Sequence, residues 1–312
     1  MDGSRILATR LDTAGDLILT GPAIRALAAS GRPVDLLCGP YGQAAAGLLP
    51  GPADVIVWDG AWAGYAPRTG YTPDVLALVD QLAARRYSDA VIFTSYPQSP
   101  LPLALLLRFA GIRRICAVSE QHVPGQLLDV RHQLRGEPHE VVRALSLAAA
   151  AGFGLPPGDD GRLSVRQPLP DVRALTGLDP YVVVHPGGDV TGAQVRGLAE
   201  AGLRVLVVGP PGMEQRTAEV AGAHGEDLGG TTDLPALAAV MAGAEVVVTG
   251  DAGAGHLAAA VGVPVVSMAP VPRRSVPYRV PSRAPRRDRD GIVPPPDVVG
   301  AVAALLPEQV AA

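Results

Sequence analysis

Short aliphatic runs set between Ala/Leu-rich stretches constrain this chain most, because they come in two series with a break between them. In the first series residues 5–9, 34–38, 55–58, 90–94 and 114–118 read as strands. Residues 21–29, 42–48, 73–86 and 100–110 read as the helices between them. The strands are continuous hydrophobic runs, as expected where both faces of a sheet are covered. Strand and helix in regular alternation is the signature of an open parallel α/β sheet. A helix over 137–152 closes the series, and Pro/Gly/Asp-rich stretches over 155–161 and 167–180 form a linker. The alternation then restarts, with strands over 181–185, 204–208, 245–249 and 264–268. Helices are expected over 194–201, 213–223, 234–242 and 255–261, and a last one over 297–306. The expected architecture is α/β with two Rossmann-like domains, residues 1–168 and 169–312, each long enough to bury its own core.

Composition narrows the function classes. The formal charge of -4 argues against a dedicated nucleic-acid binder. The apolar runs are too short to span a bilayer, and MDGSRILATR lacks the apolar core of a signal peptide. The expectation is a cytoplasmic protein, with peripheral association at the inner face of a membrane left open. Cys38 and Cys116 end aliphatic runs and read as buried strand residues, not as a disulfide or metal ligands. His122, His132 and His139 show no metal-ligand spacing. All 26 basic residues are arginine, so a side-chain cation on a phosphate must be arginine here.

Three places could carry chemistry. Asp16 follows the first strand at the mouth of a helix, where ligands of open α/β sheets collect. A carboxylate there fits a general base, and equally a helix cap. VVVHPGGDVTG and VVVTGDAGAGHLAAA are both strand, Gly-rich turn and helix. Their glycines allow backbone amides to approach an anion, which a helix N-terminus favours. Asp251 and His256 in the second turn read alternatively as a turn aspartate and a solvated histidine. Neither a GxGxxG fingerprint nor a P-loop is present. Glu214, in the first turn of its helix, suits a ribose or simply a favourable helix start. The stretch 271–296 holds seven arginines against Asp288 and Asp290 and reads as a solvated loop, with attraction of an anionic acceptor as the sharper alternative.

Taken in order, these motifs resemble glycosyltransferase family 9, the lipopolysaccharide heptosyltransferases. ILATRLDTAGDLILTGPAIRAL resembles the family's first strand, Gly-Asp loop and helix. FTSYPQSPLPLALLLRFAGIRR resembles its mid-domain helix and strand. HPGG and GDAGAGHLAAAVGVPVVSM resemble its two donor-domain turns. The resemblance implies a GT-B fold, two Rossmann-like domains facing across a cleft, with the acceptor on the first and the donor on the second. It implies an inverting, metal-independent transferase that needs no cofactor. Its donor would be a nucleoside-diphosphate sugar such as ADP-heptose, and its acceptor a glycan, a lipid-linked or a small-molecule hydroxyl. By position Asp16 matches the catalytic base. Gly187 and Gly188 match the diphosphate turn, and Glu214 matches the ribose acid. Asp251, Ala252, Gly253 and His256 match the signature beside phosphates and sugar, and Thr231 and Thr232 border the base. Where family members carry Lys or Arg and then Trp after the HPG turn, this chain has DVTGAQVRGLAEAG, with Arg196 as the nearby cation. That difference keeps an inactive, ligand-binding relative open as an alternative. A nucleotide-sugar epimerase and a dinucleotide-binding oxidoreductase are the other rivals.

Overall fold

The structure, a computed structural model, describes residues 4–60, 72–96, 98–120 and 127–307; His122 lies outside them. The chain divides into two compact units, Met1–Arg162 and Leu163–Ala312. The division falls a few residues before the expected 168/169 boundary.

The first unit runs β1 (Arg5–Arg10), α1 (Ala14–Ala28), β2 (Val34–Cys38), α2 (Gln43–Leu48), β3 (Asp54–Val57), α3 (Thr72–Arg85) and β4 (Tyr87–Ile92). It ends with α4 (Leu101–Phe109), β5 (Arg114–Val118), β6 (Val130–His132) and α5 (Glu140–Ala150). The six strands are all parallel, in the order β3-β2-β1-β4-β5-β6. The chain therefore turns from one half of the sheet to the other between β1 and β4. One sheet face packs Leu7, Leu37, Ile92 and Ile115 against Leu78 and Leu82 of α3 and Leu103 and Leu107 of α4. α1 is buried along most of its length, which its sequence AGDLILTGPAIRALA permits because apolar residues run round the helix. It starts at Ala14, not at residue 21 as expected, because the cap at Thr13 begins the helix directly after β1.

The second unit runs α6 (Arg173–Thr176), β7 (Val182–His185), α7 (Gly192–Glu200), β8 (Val205–Val207), α8 (Glu214–Ala221) and β9 (Glu226–Asp227). It continues with α9 (Leu234–Ala242), β10 (Val246–Thr249), α10 (Ala252–Ala260), β11 (Val265–Ser267), β12 (Ser282–Arg283) and α11 (Pro295–Ala303). Its sheet order is β12-β11-β10-β7-β8-β9, again all parallel, so the turnover point lies between β7 and β10. Valines fill its core: Val182, Val184, Val205, Val207, Val246, Val248 and Val266 are all buried. Among the described residues no helix is long and apolar enough to cross a membrane.

Candidate functional site

Each sheet presents a cluster at its turnover point, the crevice outside the carboxyl ends of the strands where ligands of open α/β sheets bind. In the first unit the cluster is built on side chains. β1 ends at Arg10, whose side chain is only 3% exposed. Its Nε lies 2.7 Å from Asp12 Oδ2, and its Nη2 lies 3.1 Å from Asp16 Oδ1. The same nitrogen donates to Ser95 Oγ at 2.5 Å, just beyond β4. Gln98 Nε2 donates to Asp12 Oδ1 at 2.6 Å.

Asp16 is not itself the cap of α1. Thr13 is the N-cap, and Asp16 sits three residues on, completing a capping box. Its Oδ2 accepts from Thr13 N at 3.2 Å and from Thr13 Oγ1 at 2.7 Å. Its other oxygen, Oδ1, faces Arg10 and Ser95. Capping and proton transfer are thus compatible in one carboxylate. Burial raises this carboxyl's pKa, but the Arg10 charge and the hydrogen bonds from Thr13 and Ser95 outweigh it. The group is held below the ordinary carboxylate range and is ionised at neutral pH. The sequence reading singled out Asp16 alone; Arg10, Asp12, Ser95 and Gln98 complete the cluster. Only the charge of the RLD tripeptide after an apolar strand pointed toward them.

In the second unit the cluster is built on backbone. A Cβ at Gly187 would lie 2.5 Å from the carbonyl carbon of Gly250 and 2.7 Å from Asp251 N. A Cβ at Gly250 would overlap Gly187 O. The two Gly-rich turns therefore interlock main chain to main chain, and this contact is what requires glycine at 187. Gly188 has φ +41 with open space around it. Asp251 caps α10 through Ala254 N at 2.8 Å, and Thr249 Oγ1 accepts from Asp251 N at 2.9 Å. The amides of Ala252 and Gly253, in the first helical turn, have no intrahelical acceptor and are available to an anion. His256 is 4% exposed within α10, which corrects the solvated-histidine reading. His185, at the end of β7, is also buried, and its Nδ1 has no hydrogen-bond partner among the described residues. Burial lowers its pKa against the opposing charge of Asp251, so the ring is neutral at neutral pH.

Glu214 begins α8, exposed, and its carboxylate accepts from Gly212 N at 2.9 and 3.0 Å. That bond lowers its pKa. It also lies against Gly230, where an added Cβ would be 2.5 Å from Glu214 Oε1. The acid and the GGTT loop are thus neighbours. Thr231 is exposed and donates to Leu228 O at 2.7 Å. Thr232 is buried, and its Oγ1 has no partner among the described residues.

The arginines differ from expectation. Arg196 is 57% exposed and lies 3.9 Å from Glu200 within α7. Two others hold the turn after β7. Arg216 of α8 donates to Val190 O at 2.6 Å and to Gly188 O at 3.4 Å. Arg287 lies 2.6 Å from Asp189 Oδ2 and also donates to the carbonyls of Met268 and Gly291. Arg287 is thus a strut within the loop expected to be solvated. Asp288 Oδ1 accepts from Asp290 N and Ile292 N, so that aspartate shapes a turn.

The sequence profile of glycosyltransferase family 9 (heptosyltransferase) matches residues 75–269. The fold is similar to Escherichia coli ADP-heptose lipopolysaccharide heptosyltransferase II, with TM-score 0.72, 21% identity, and coverage of 98% of this chain and 99% of that one. It is similar to a family 9 glycosyl transferase of Veillonella parvula at TM-score 0.74 and 16% identity, covering 98% of both chains. It is also similar to Escherichia coli heptosyltransferase WaaC, solved with ADP-2-deoxy-2-fluoro heptose, at TM-score 0.70 and 22% identity, covering 94% of this chain and 97% of that one. No curated protein sequence matches the chain.

Proposed function

The chain belongs to glycosyltransferase family 9, and from that premise we propose that it moves a sugar, a heptose in the first instance, from a nucleoside diphosphate to an acceptor hydroxyl with inversion and without a metal. The family is one of glycosyltransferases, so the epimerase and oxidoreductase readings give way. The observation that carries the donor assignment is the pair of interlocked turns at the β7/β10 turnover point. Gly188 has open space around it at the head of one turn, and the Nδ1 of His185, at the end of β7, has no hydrogen-bond partner among the described residues. One of the similar Escherichia coli enzymes carries ADP-heptose in its name and another was solved with ADP-2-deoxy-2-fluoro heptose, which favours an ADP sugar.

On this reading Glu214 turns from Gly212 N to the ribose hydroxyls, and Thr231 and Thr232 border the base. The amides of Gly187, Gly188, Ala252 and Gly253, with the α10 dipole, receive the diphosphate. Asp251 fixes the start of that helix, and His256 is a buried member of it. Arg216, held on the carbonyls of Gly188 and Val190, places positive charge beside the turn that in family members is followed shortly by Lys or Arg. In the first unit Asp16 acts as the base. The acceptor oxygen bonds to the anomeric carbon from the face opposite the diphosphate. The bond from that carbon to the diphosphate oxygen breaks, and its electron pair leaves with the diphosphate. The hydroxyl proton passes to Asp16.

The test is thermal unfolding of the whole protein with ADP and with ADP-heptose, followed by transfer assays. A ligand that binds only the folded state at 100 times its Kd stabilises by about 2.7 kcal/mol. Melting unmoved by any nucleoside diphosphate or its sugar overturns the reading. Binding without transfer to any acceptor would mark an inactive relative.

A further inference from the structure

A cavity of about 210 Å³ opens at the carboxyl ends of β1 and β4, on the face covered by α3 and α4. Its walls are mostly apolar, with Leu11, Phe93, Pro100, Pro102 and Leu103 among them beside the uncharged Thr9, Thr94, Gln98 and Ser99. Among the described residues, none that lines it is charged. The Thr9 and Thr94 hydroxyls belong to lining residues and have no hydrogen-bond partner among the described residues. Thr9 is fully buried.

The cavity borders the Asp16 cluster. Along β1 the side chains alternate, so Leu7 and Leu11 join the core beneath α3 and α4 while Arg10 reaches Asp16 on the α1 side. Gln98 links the two, lining the cavity while its Nε2 donates to Asp12. Whatever fills the cavity lies one strand-end away from the proposed base.

Size and charge then indicate the occupant. An apolar protein cavity of about 150 Å³ admits benzene, so about 210 Å³ admits a larger ring or a branched aliphatic group. An anionic group would meet no counter-charge among the described residues that line it. Arg10, in the neighbouring cluster, already faces Asp12 and Asp16. A second cavity of about 130 Å³, which shares residues 98–100, does carry charge, but of both signs, with Glu120 and Arg143 in its lining.

Resting on the transferase reading, we infer that the acceptor presents its hydroxyl on an uncharged, apolar body, aromatic or compact aliphatic, which this cavity seats. An acidic sugar does not fit it.

The experiment measures binding of 2-naphthol and of 6-hydroxynaphthalene-2-sulfonate to the whole protein by calorimetry. ADP is titrated on the same samples as a separate test of the donor reading. Saturable binding of 2-naphthol is expected, with the sulfonate at least tenfold weaker because its charged end would enter the cavity. Leu11→Phe and Ser99→Phe fill the space from the rim and are each expected to weaken 2-naphthol at least tenfold. Equal binding of the two probes to the wild type overturns the inference, whether or not either variant folds. So does naphthol binding that is absent, or unchanged in a folded filled variant. If ADP fails to bind while naphthol behaves as expected, the ADP-donor reading falls and the acceptor assignment falls with it, and the cavity is left as a seat for an uncharged apolar ligand.

Discussion

Replacing Asp16 by asparagine separates its two duties, because its two oxygens have different partners. Oδ2 serves the capping box, and Oδ1 faces Arg10 and Ser95. The amide of asparagine can keep its oxygen toward the Thr13 N–H, which has no way to turn round. Its NH2 then faces Ser95 Oγ, which can rotate to accept, and the Arg10 guanidinium, which cannot. One charge-assisted hydrogen bond is lost, worth about 1.5–3 kcal/mol. Arg10 retains Asp12 at 2.7 Å, so its buried charge is still paired. For a unit of this size, roughly 2–4 °C of melting temperature per kcal/mol implies a fall of about 3–12 °C. Asp16→Ala loses the box as well, a further 0.5–2 kcal/mol or so.

The kinetic effect of losing the base is far larger. A positioned general base contributes roughly 10²–10⁴-fold, equivalent to about 3–5 kcal/mol of barrier. With stability of about 5–15 kcal/mol at the outset, a loss of 3 kcal/mol still leaves nearly all molecules folded at 25 °C. Unfolding therefore removes a few per cent of activity at most, and a hundredfold fall in kcat with unchanged donor Kd must come from the chemistry. The pH dependence has a definite sign. Because the Asp16 pKa lies below its ordinary value, the basic form persists through the mildly acidic range, and the acid limb of kcat/KM should lie below that of an ordinary aspartate. The stability that its ionisation contributes is present above the unfolded-state pKa and is lost as pH falls through the lower folded-state value. Stopped assays of transfer, with melting curves on the same samples, decide the matter. Asp16→Asn transferring sugar at more than about a tenth of the wild-type rate would refute the assignment. Equal kcat losses in Asp12→Asn and Asp16→Asn would show that the cluster positions something else.

Two further substitutions test the second unit. Gly187→Ala should cost about 1–3 kcal/mol by forcing the interlocked turns apart, and should weaken ADP; Gly188→Ala, whose Cβ meets open space, should cost only about 1 kcal/mol of backbone strain. The reverse order in melting temperature and ADP titration would show that the turns do not depend on this contact. Arg287→Gln should lower the melting temperature by a few degrees and weaken ADP, through loss of the Asp189 pair and the carbonyl contacts. Arg286→Gln with Arg289→Gln should change neither, and equal effects in both proteins would make the loop's net charge the operative feature.

The central strands were legible because each is an aliphatic run with a single reading. The sequence did not reveal β6, β9 and β12, which are short edge strands. Glu226–Asp227 and Ser282–Arg283 carry no apolar run, because an edge strand exposes its side chains. The start of α1 was placed late because Thr13 and Asp16, three apart, form a capping box that the apolar pattern alone does not mark. Asp16, the two glycine turns and Glu214 could be named from motif and order. Their partners could not. Asp35 sits fully buried in VDLLC, bound by Arg5, Arg85 and Tyr87, and nothing local says which of 26 arginines it meets. Arg287 was read as solvent-facing for the same reason: its partner Asp189 lies nearly a hundred residues earlier, beyond the reach of any periodicity.

The two turnover points share a topology and differ in material, and the difference follows the chemistry proposed for each. Taking a proton from a hydroxyl needs a localised negative charge. The first unit supplies one, sets an arginine beside it, and keeps it ionised. Holding a diphosphate needs the opposite, donors without added negative charge. The second unit supplies main-chain amides, exposed by turns so closely packed that only glycine fits at 187 and 250. The carboxylate placed at that helix start, Asp251, is occupied with Ala254 N. Arginine is the only long cation this chain uses, and its planar fork suits bridging between carbonyls. Arg216 does that at the turn after β7, between the carbonyls of Gly188 and Val190, and Arg287 ties Asp189 of the same turn to the carbonyls of Met268 and Gly291. The positive charge is thereby fixed in place before any ligand arrives, so binding a diphosphate there requires no ordering of a mobile side chain.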